Sequence, residues 1–309
     1  MDAMAVRLAQ QVGERAVDWL GRLRGRFALN REVPEHEISG ESLKALGELA
    51  LVAGVVVREA VAGPRSAGTA RALLDFAWRE FDEGAMLWRL QTHSPGATHA
   101  MEFYSHFVPV GYRHPGLDRL AGTVLGTRAA QVVEHVPSRR LAVWAAARRI
   151  GVQPPSSASE LVAQTWLGGT PEPWMMDANN AYGVTHTVFH LTDWGDDPTG
   201  LPEPLHAYVR RWLPVWVEVF RETRFWDLLL EFLMVGACLP EPMLFPTVWK
   251  EVTEAQHADG MMPNGLTAPP AEPERAWVNH HHPTIVAAIA GTLTVSRALS
   301  TATAGGSRA

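Results

Sequence analysis

Apolar residues recur along most of the chain at the three- and four-residue spacing of a helix that buries one face. In the first segment, Val12, Val17 and Leu20 share a face and leave Glu14 and Arg22 to solvent. The same spacing, interrupted by proline and glycine, predicts a series of helices. Their approximate bounds are 3–27, 41–61, 68–92, 98–107, 116–134, 138–150, 157–166, 178–193, 203–221, 224–238, 243–257 and 283–300.

Patterns typical of β-strands are nearly absent from the sequence. Val55 and Val56 are β-branched, but they lie within a helical pattern. Helical segments follow one another across short connectors, without the strand–helix–strand order of an α/β protein. The sequence therefore predicts an all-α protein: an N-terminal helix and linker over 1–38, one helical domain over 39–300 and a disordered tail over 301–309.

Charge and cysteine content argue against several classes of function. A formal net charge of −6 disfavours binding to a nucleic-acid backbone. The single cysteine, Cys238, cannot form a disulfide within the chain, and charged residues interrupt any signal-peptide core near the N-terminus. Asp227 and Glu231 interrupt the most apolar run, which is also too short to span a bilayer. These features predict a cytoplasmic protein without a nucleic-acid or membrane partner.

One predicted helix carries an unusual polar stripe. Tyr182, His186, His190 and Asp193 follow one another at helical spacing, where a core helix normally places aliphatic residues. We predict His186 as a general base or acid, with Asp193 and Tyr182 orienting it or transferring a second proton. The alternative is structural: Asp177 caps the helix, Asp193 binds a neighbouring helix end, and the histidines form hydrogen bonds across the core.

Metal binding and cofactor binding have little support in the sequence. His186 and His190 have the i, i+4 spacing at which two imidazoles can share a metal ion, but Thr187 stands where the zincin motif has glutamate. We therefore predict no bound metal, and in particular no stoichiometric zinc. Because P-loop, dinucleotide-binding, nucleophile-elbow and Cys-x-x-Cys motifs are also absent from the sequence, no cofactor is predicted.

A second polar stretch precedes Pro283, which is expected to occupy the first position of the last helix. Its histidines either cap that helix or face His186 across a binding site, together with Asp259 from the preceding turn. A third interpretation is metal binding, although at most two of three consecutive histidines could share one ion. Under the second interpretation, seven residues are predicted to bind substrate. They are Asp177, Asn180, His190, Asp259, Trp277, His281 and His282.

The turn in this stretch resembles a known architecture. Gln256 and Asp259-Gly260, followed by a Gly/Pro loop and a helix after His282, look like the closing unit of α/α-toroid proteins. That resemblance implies a single-domain α/α toroid, a two-layer helical barrel. Three toroid chemistries do not fit the sequence: it lacks the cysteines of lanthionine cyclases, the Asp-x-Asp-Asp motif of squalene-type cyclases and a zinc motif around Cys238 like that of protein prenyltransferases.

The stretch from Tyr182 to Gly195 resembles an uncharacterised family of high-G+C bacterial proteins often associated with natural-product gene clusters, and the likeness covers most of the chain from about residue 35. We therefore predict a cofactor-independent biosynthetic enzyme that cyclises, eliminates, isomerises or hydrolyses a small or peptide-like substrate in a central cavity. The alternative is a non-catalytic binding or scaffold protein for a biosynthetic partner or intermediate. Only the first interpretation requires the polar stripe to open into a cavity with other ionisable groups.

Overall fold

The computed structural model describes residues 3–266 and 273–306. Helix makes up 73% of the described residues, and no strand occurs among them, so the predicted all-α class is confirmed. Short 3₁₀ turns join some of the α-helices. The helices are α1 (Ala3–Arg22), α2 (Gly40–Glu59), α3 (Pro64–Glu80), α4 (Ala85–His93), α5 (His99–Phe107), α6 (Pro115–Leu125), α7 (Arg128–Gln131), α8 (Pro137–Ile150), α9 (Ala158–Val162), α10 (Ala178–Leu191), α11 (Glu203–Glu222), α12 (Trp226–Cys238), α13 (Pro246–Ala255) and α14 (Pro273–Gly306).

The single helix predicted over 68–92 is two helices, α3 and α4. Three successive residues between them, Asp82, Glu83 and Gly84, have φ values of 52°, 52° and 90°. A side chain at Gly84 would also place its Cβ 2.8 Å from the Trp78 ring, so the turn requires glycine there. Helical periodicity continues across such a turn, which explains why the sequence pattern missed it.

The last helix begins ten residues before the predicted start, and Pro283 lies inside it. Proline removes one backbone hydrogen bond from a helix interior. Next to it, the Thr284 hydroxyl donates to the His280 carbonyl at 2.7 Å and accepts the amide of Met262 at 2.9 Å. The tail predicted from residue 301 is helical as far as Gly306, and residues 307–309 lie outside the described residues.

Six helices contact one another in a closed cycle, in the order α2, α5, α8, α10, α12, α14 and back to α2. Most of the remaining helices pack on members of this cycle: α3 on α2, α4 on α5, α6 and α9 on α8, α11 on α12, and α1 on α14. Helix α13 packs on α1. The N-terminal helix is therefore in contact with the domain that follows it.

Helix α14 contains the one stretch in the described residues, Arg275–Ala302, that is long and apolar enough to cross a membrane, with a mean hydropathy of 1.4. However, 67% of its most apolar window is buried inside the protein. Helices α1 and α12 cover it. Such burial is typical of a helix in the core of a protein.

The crossing of α1 and α14 yields a stability prediction. A Cβ at Gly291 would lie 2.5 Å from the backbone oxygen of Ala9, whereas a Cβ at Gly13 would have its nearest neighbour at 3.4 Å. We expect Gly291→Ala to lower the free energy of unfolding by about 1–3 kcal/mol, because the helices must move apart. The matched control Gly13→Ala should leave it unchanged or raise it slightly. Urea denaturation of both variants checks this, and equal stability of the two would contradict the close approach of α1 and α14 at Gly291.

Candidate functional site

A cavity of about 520 Å³ lies among α2, α4, α5, α8 and α10. This volume suits a small organic molecule. Most of the exposed area of its wall is apolar, but eleven ionisable side chains also reach it. The apolar residues include Leu43, Leu51, Leu90, Phe103 and Ala142. The ionisable residues are His36, Lys44, Glu48, His93, His99, Glu102, His106, Arg139, Arg149, His186 and His190.

His186 lies on the cavity side of α10, and its hydrogen bonding sets its tautomer. Its Nδ1 is 2.9 Å from the Tyr182 carbonyl oxygen, which can only accept, so Nδ1 carries the hydrogen. Nε2 then has a lone pair and no hydrogen-bond partner among the described residues. Burial lowers the pKa of His186, which keeps the ring neutral. Yet 39% of the side-chain surface is accessible, because the ring lines the cavity.

Behind His186 stands a group of ionisable side chains that we call the acidic cluster: Glu48, Asp227, Glu231 and His282. His282 Nδ1 donates to Glu48 Oε2 at 3.0 Å, and its Nε2 lies 3.6 Å from Asp227 Oδ1. The cluster is joined to α10 by three contacts. Tyr182 donates its hydroxyl to Asp227 Oδ2 at 2.6 Å, Thr185 donates to Glu231, and His186 Nδ1 lies 3.8 Å from Glu231 Oε2.

Burial and mutual repulsion shift the pKa values of the acidic cluster. Burial, followed by the charge of Asp227, raises the pKa of Glu231 to about 8. Burial alone would lower the pKa of His282, but Glu48 and Asp227 outweigh it and raise that pKa to about 9. Burial likewise opposes ionisation of Glu48, but His282 outweighs it and lowers the Glu48 pKa. The charges of the cluster thus depend on one another.

Asp193 does not orient His186, contrary to the prediction. Helix α10 ends at Leu191, and Asp193 has a φ of 49° in the turn that follows, so it leaves the stripe. Its carboxylate instead accepts from Arg149 Nε, and its carbonyl accepts from Arg58 at 3.1 Å. The helical spacing that placed Asp193 beside His186 does not hold beyond the end of the helix.

Two buried nitrogens with no hydrogen-bond partner among the described residues belong to side chains of the cavity wall: Arg149 Nη2 and His190 Nδ1. Burial lowers the pKa of both groups. Burial and then the charge of Arg149 lower the pKa of His106, in the same wall, to about 3. Buried polar atoms without partners are costly, and a polar group on a bound molecule would satisfy them.

The structure brings some of the predicted substrate-binding residues to this site and leaves others elsewhere. His190 lines the cavity and His282 belongs to the acidic cluster. Asp177 caps α10, accepting the Asn180 amide at 2.7 Å, and neither residue lines the cavity.

The predicted residues of the second polar stretch are also largely outside the cavity. Asp259 accepts from Trp19 Nε1 at 3.1 Å and from the Met261 amide at 3.1 Å, so it fastens a turn to α1. Trp277 and His281 stack on each other with ring centres 4.5 Å apart. None of Asp259, Trp277 and His281 lines the cavity.

Sequence reasoning missed Glu48, Arg149, Asp227 and Glu231. A signal for two of them existed: Asp227 and Glu231 are the acids of an otherwise apolar helix and stand one turn apart. From the sequence alone they are evidence only against a membrane-spanning segment. Carboxylates buried at 2% and 3% exposure are rare unless they are paired or functional.

No curated protein and no solved structure matches the chain. A match does exist to the family described as "Domain of unknown function (DUF6895)", over residues 13–292. The matched range includes the whole cavity wall and the acidic cluster. Because the match covers most of its length, the chain belongs to the DUF6895 family.

Proposed function

We propose that this protein is an enzyme that transfers protons on a small, mostly apolar molecule held in the cavity, with His186 as the general base. The observation that carries the proposal is the Nε2 lone pair of His186, which results from the hydrogen bond of Nδ1 to the Tyr182 carbonyl. A neutral imidazole that is accessible within a 520 Å³ cavity can accept a proton from a bound molecule.

The imidazolium that results from this proton transfer has a carboxyl group near its Nδ1. Glu231 Oε2 lies 3.8 Å from His186 Nδ1, so a positive charge on the ring forms beside an acidic group. The same ring returns the proton to another atom of the bound molecule, which is what isomerisation, elimination and cyclisation require. With water as the proton donor, the arrangement also suits hydrolysis.

Other residues of the cavity wall suggest the chemistry of the molecule. Leu43, Leu51 and Phe103 favour an apolar body, and the unpartnered Nη2 of buried Arg149 favours a carbonyl or carboxylate on it. A natural-product intermediate of small or peptide-like type fits this description. No organic cofactor is part of the proposal.

We extend the proposal to the architecture and the location. An α/α toroid, in which the six helices of the contact cycle form the inner layer, is supported by the order in which those helices touch. A cytoplasmic location is supported by the burial of the most apolar window of α14.

A binding or scaffold role is the second candidate. One observation favours it: Trp174 and Met175, just before α10, are exposed at 75% and 62%. Neighbouring exposed apolar side chains are typical of surfaces that bind a partner. Under this candidate the cavity would hold its ligand without changing it.

An untargeted conversion assay tests the proposal. Protein is incubated with a metabolite extract from a high-G+C bacterium, and mass spectrometry follows both the extract and the molecules retained by the protein. We expect at least one small molecule to be consumed. Ala142→Phe, which places a ring in the cavity, should strongly reduce its consumption, whereas the exposed control Ala129→Phe should not. Retention of an unchanged molecule supports the scaffold candidate, and undiminished consumption by a folded Ala142→Phe variant contradicts the cavity as the site.

A further inference from the structure

Three side chains of the acidic cluster converge on one point. Asp227 and Glu231 lie one turn apart on α12, and His282 faces them from α14. One ligand atom from each, a carboxylate oxygen or an imidazole nitrogen, lies within 4.8 Å of the other two. Small adjustments of the side chains would bring all three within bonding distance of a common ion.

Asp227 also presents a buried oxygen with no hydrogen-bond donor in the described part of the chain. Its side chain is 3% exposed, and its Oδ1 has no hydrogen-bond donor among the described residues. The nearest nitrogen of the cluster, His282 Nε2, stands 3.6 Å away, beyond hydrogen-bond distance. A buried carboxylate oxygen without a partner costs free energy, and a bound cation is one of the few groups that would offset it.

Each of these three side chains is oriented by a hydrogen bond with a residue other than the three. Tyr182 donates to the other oxygen of Asp227, and Thr185 donates to Glu231. His282 donates its Nδ1 hydrogen to Glu48, which leaves Nε2 directed towards Asp227. Metal-ligating histidines commonly donate their second nitrogen to a carboxylate in this way, and ligating carboxylates are themselves hydrogen-bonded.

We propose that Asp227, Glu231 and His282 bind one divalent transition-metal ion. Two carboxylates and one imidazole suit Mn²⁺, Fe²⁺ or Zn²⁺ better than Mg²⁺ or Ca²⁺, which prefer oxygen ligands alone. The charge of the ion balances the two carboxylates, and the ion takes the place of the proton on His282 Nε2. This proposal departs from the sequence-based prediction of no bound metal, which considered the His186–His190 pair and the consecutive histidines before Pro283 but not the acids of α12.

The inference goes beyond the proposed function, because metal binding can be measured whether or not the protein is an enzyme. The full chain is first treated with chelator and then titrated with Mn²⁺, or separately with Zn²⁺. Free Mn²⁺ is followed by electron paramagnetic resonance, and retained metal is measured by mass spectrometry after desalting. We expect one equivalent per chain and a thermal midpoint that rises with metal concentration.

Variants identify the ligands. Asp227→Asn and Glu231→Gln should each weaken binding by more than tenfold, and Tyr182→Phe, which only orients Asp227, by about 10–100-fold. His190→Asn is the matched control and should bind normally. Circular dichroism confirms folding, and His282→Gln replaces any variant that fails to fold. Absence of binding and of a thermal shift with either ion overturns the inference. So does a folded Asp227→Asn, Glu231→Gln double variant that retains the metal, or loss of the metal in His190→Asn.

Discussion

Replacing His186 with asparagine should slow the conversion of the cavity ligand by about 10²–10⁴-fold, the usual contribution of a positioned general base. Asparagine keeps an N–H donor close to the Tyr182 carbonyl but removes the Nε2 lone pair. Because the His186 ring lines a cavity instead of filling a packed core, we expect stability to fall by less than about 2 kcal/mol. The rate at which the consumed molecule disappears provides the measurement, with urea denaturation alongside.

The matched control is His281→Asn. His281 also bonds to a backbone carbonyl four residues earlier, that of Trp277 at 3.0 Å, but it does not line the cavity. Its replacement should leave the rate unchanged. Full activity in a folded His186→Asn variant would remove His186 from the mechanism, whereas equal losses in both variants would indicate a general effect on folding.

The features of α10 that depend on local sequence could be predicted. The helix was expected over 178–193 and spans Ala178–Leu191, and Asp177 caps it as its side chain suggested. His186 and His190 share a face that borders the cavity, as their spacing indicated. Helical periodicity and capping act within a few residues, so one sequence contains enough information to place them.

The acidic cluster could not be predicted, because it depends on which helices become neighbours. Glu48 and His282 are 234 residues apart in the chain, and Tyr182 and Asp227 are 45 residues apart. Their meeting requires α10, α12, α14 and α2 to be successive neighbours, and periodicity does not encode that order. The predicted start of α14 at residue 283 is wrong for a related reason. Proline is common at the first position of a helix, and the hydrogen bonds that Thr284 makes beside it, one of them to Met262, are not visible in the sequence.

Replacing Arg149 with methionine should lower the free energy of unfolding by about 1–3 kcal/mol, because Asp193, whose side chain is 28% exposed, loses the charged donor of its ion pair. Arg149 is 7% exposed, and its Nε donates to Asp193. Asp193 follows α10 in a left-handed turn, with φ values of 49° and 54° at Asp193 and Trp194. Arg58 binds the carbonyls of both residues, at 3.1 and 2.7 Å, so two arginines fasten this turn.

A double-mutant cycle separates the ion pair from the turn. Asp193→Asn keeps a side chain that tolerates positive φ but removes the charge, which leaves Arg149 buried without its partner. The single variants should therefore each be destabilised, and the double variant by less than their sum, with a coupling of about 1–3 kcal/mol. Urea denaturation of the four proteins gives this coupling. A coupling near zero would mean that Arg149 stabilises the fold through its packing and its contact with Ser105, 3.4 Å from Nη1, and that the Asp193 turn is held by Arg58 alone.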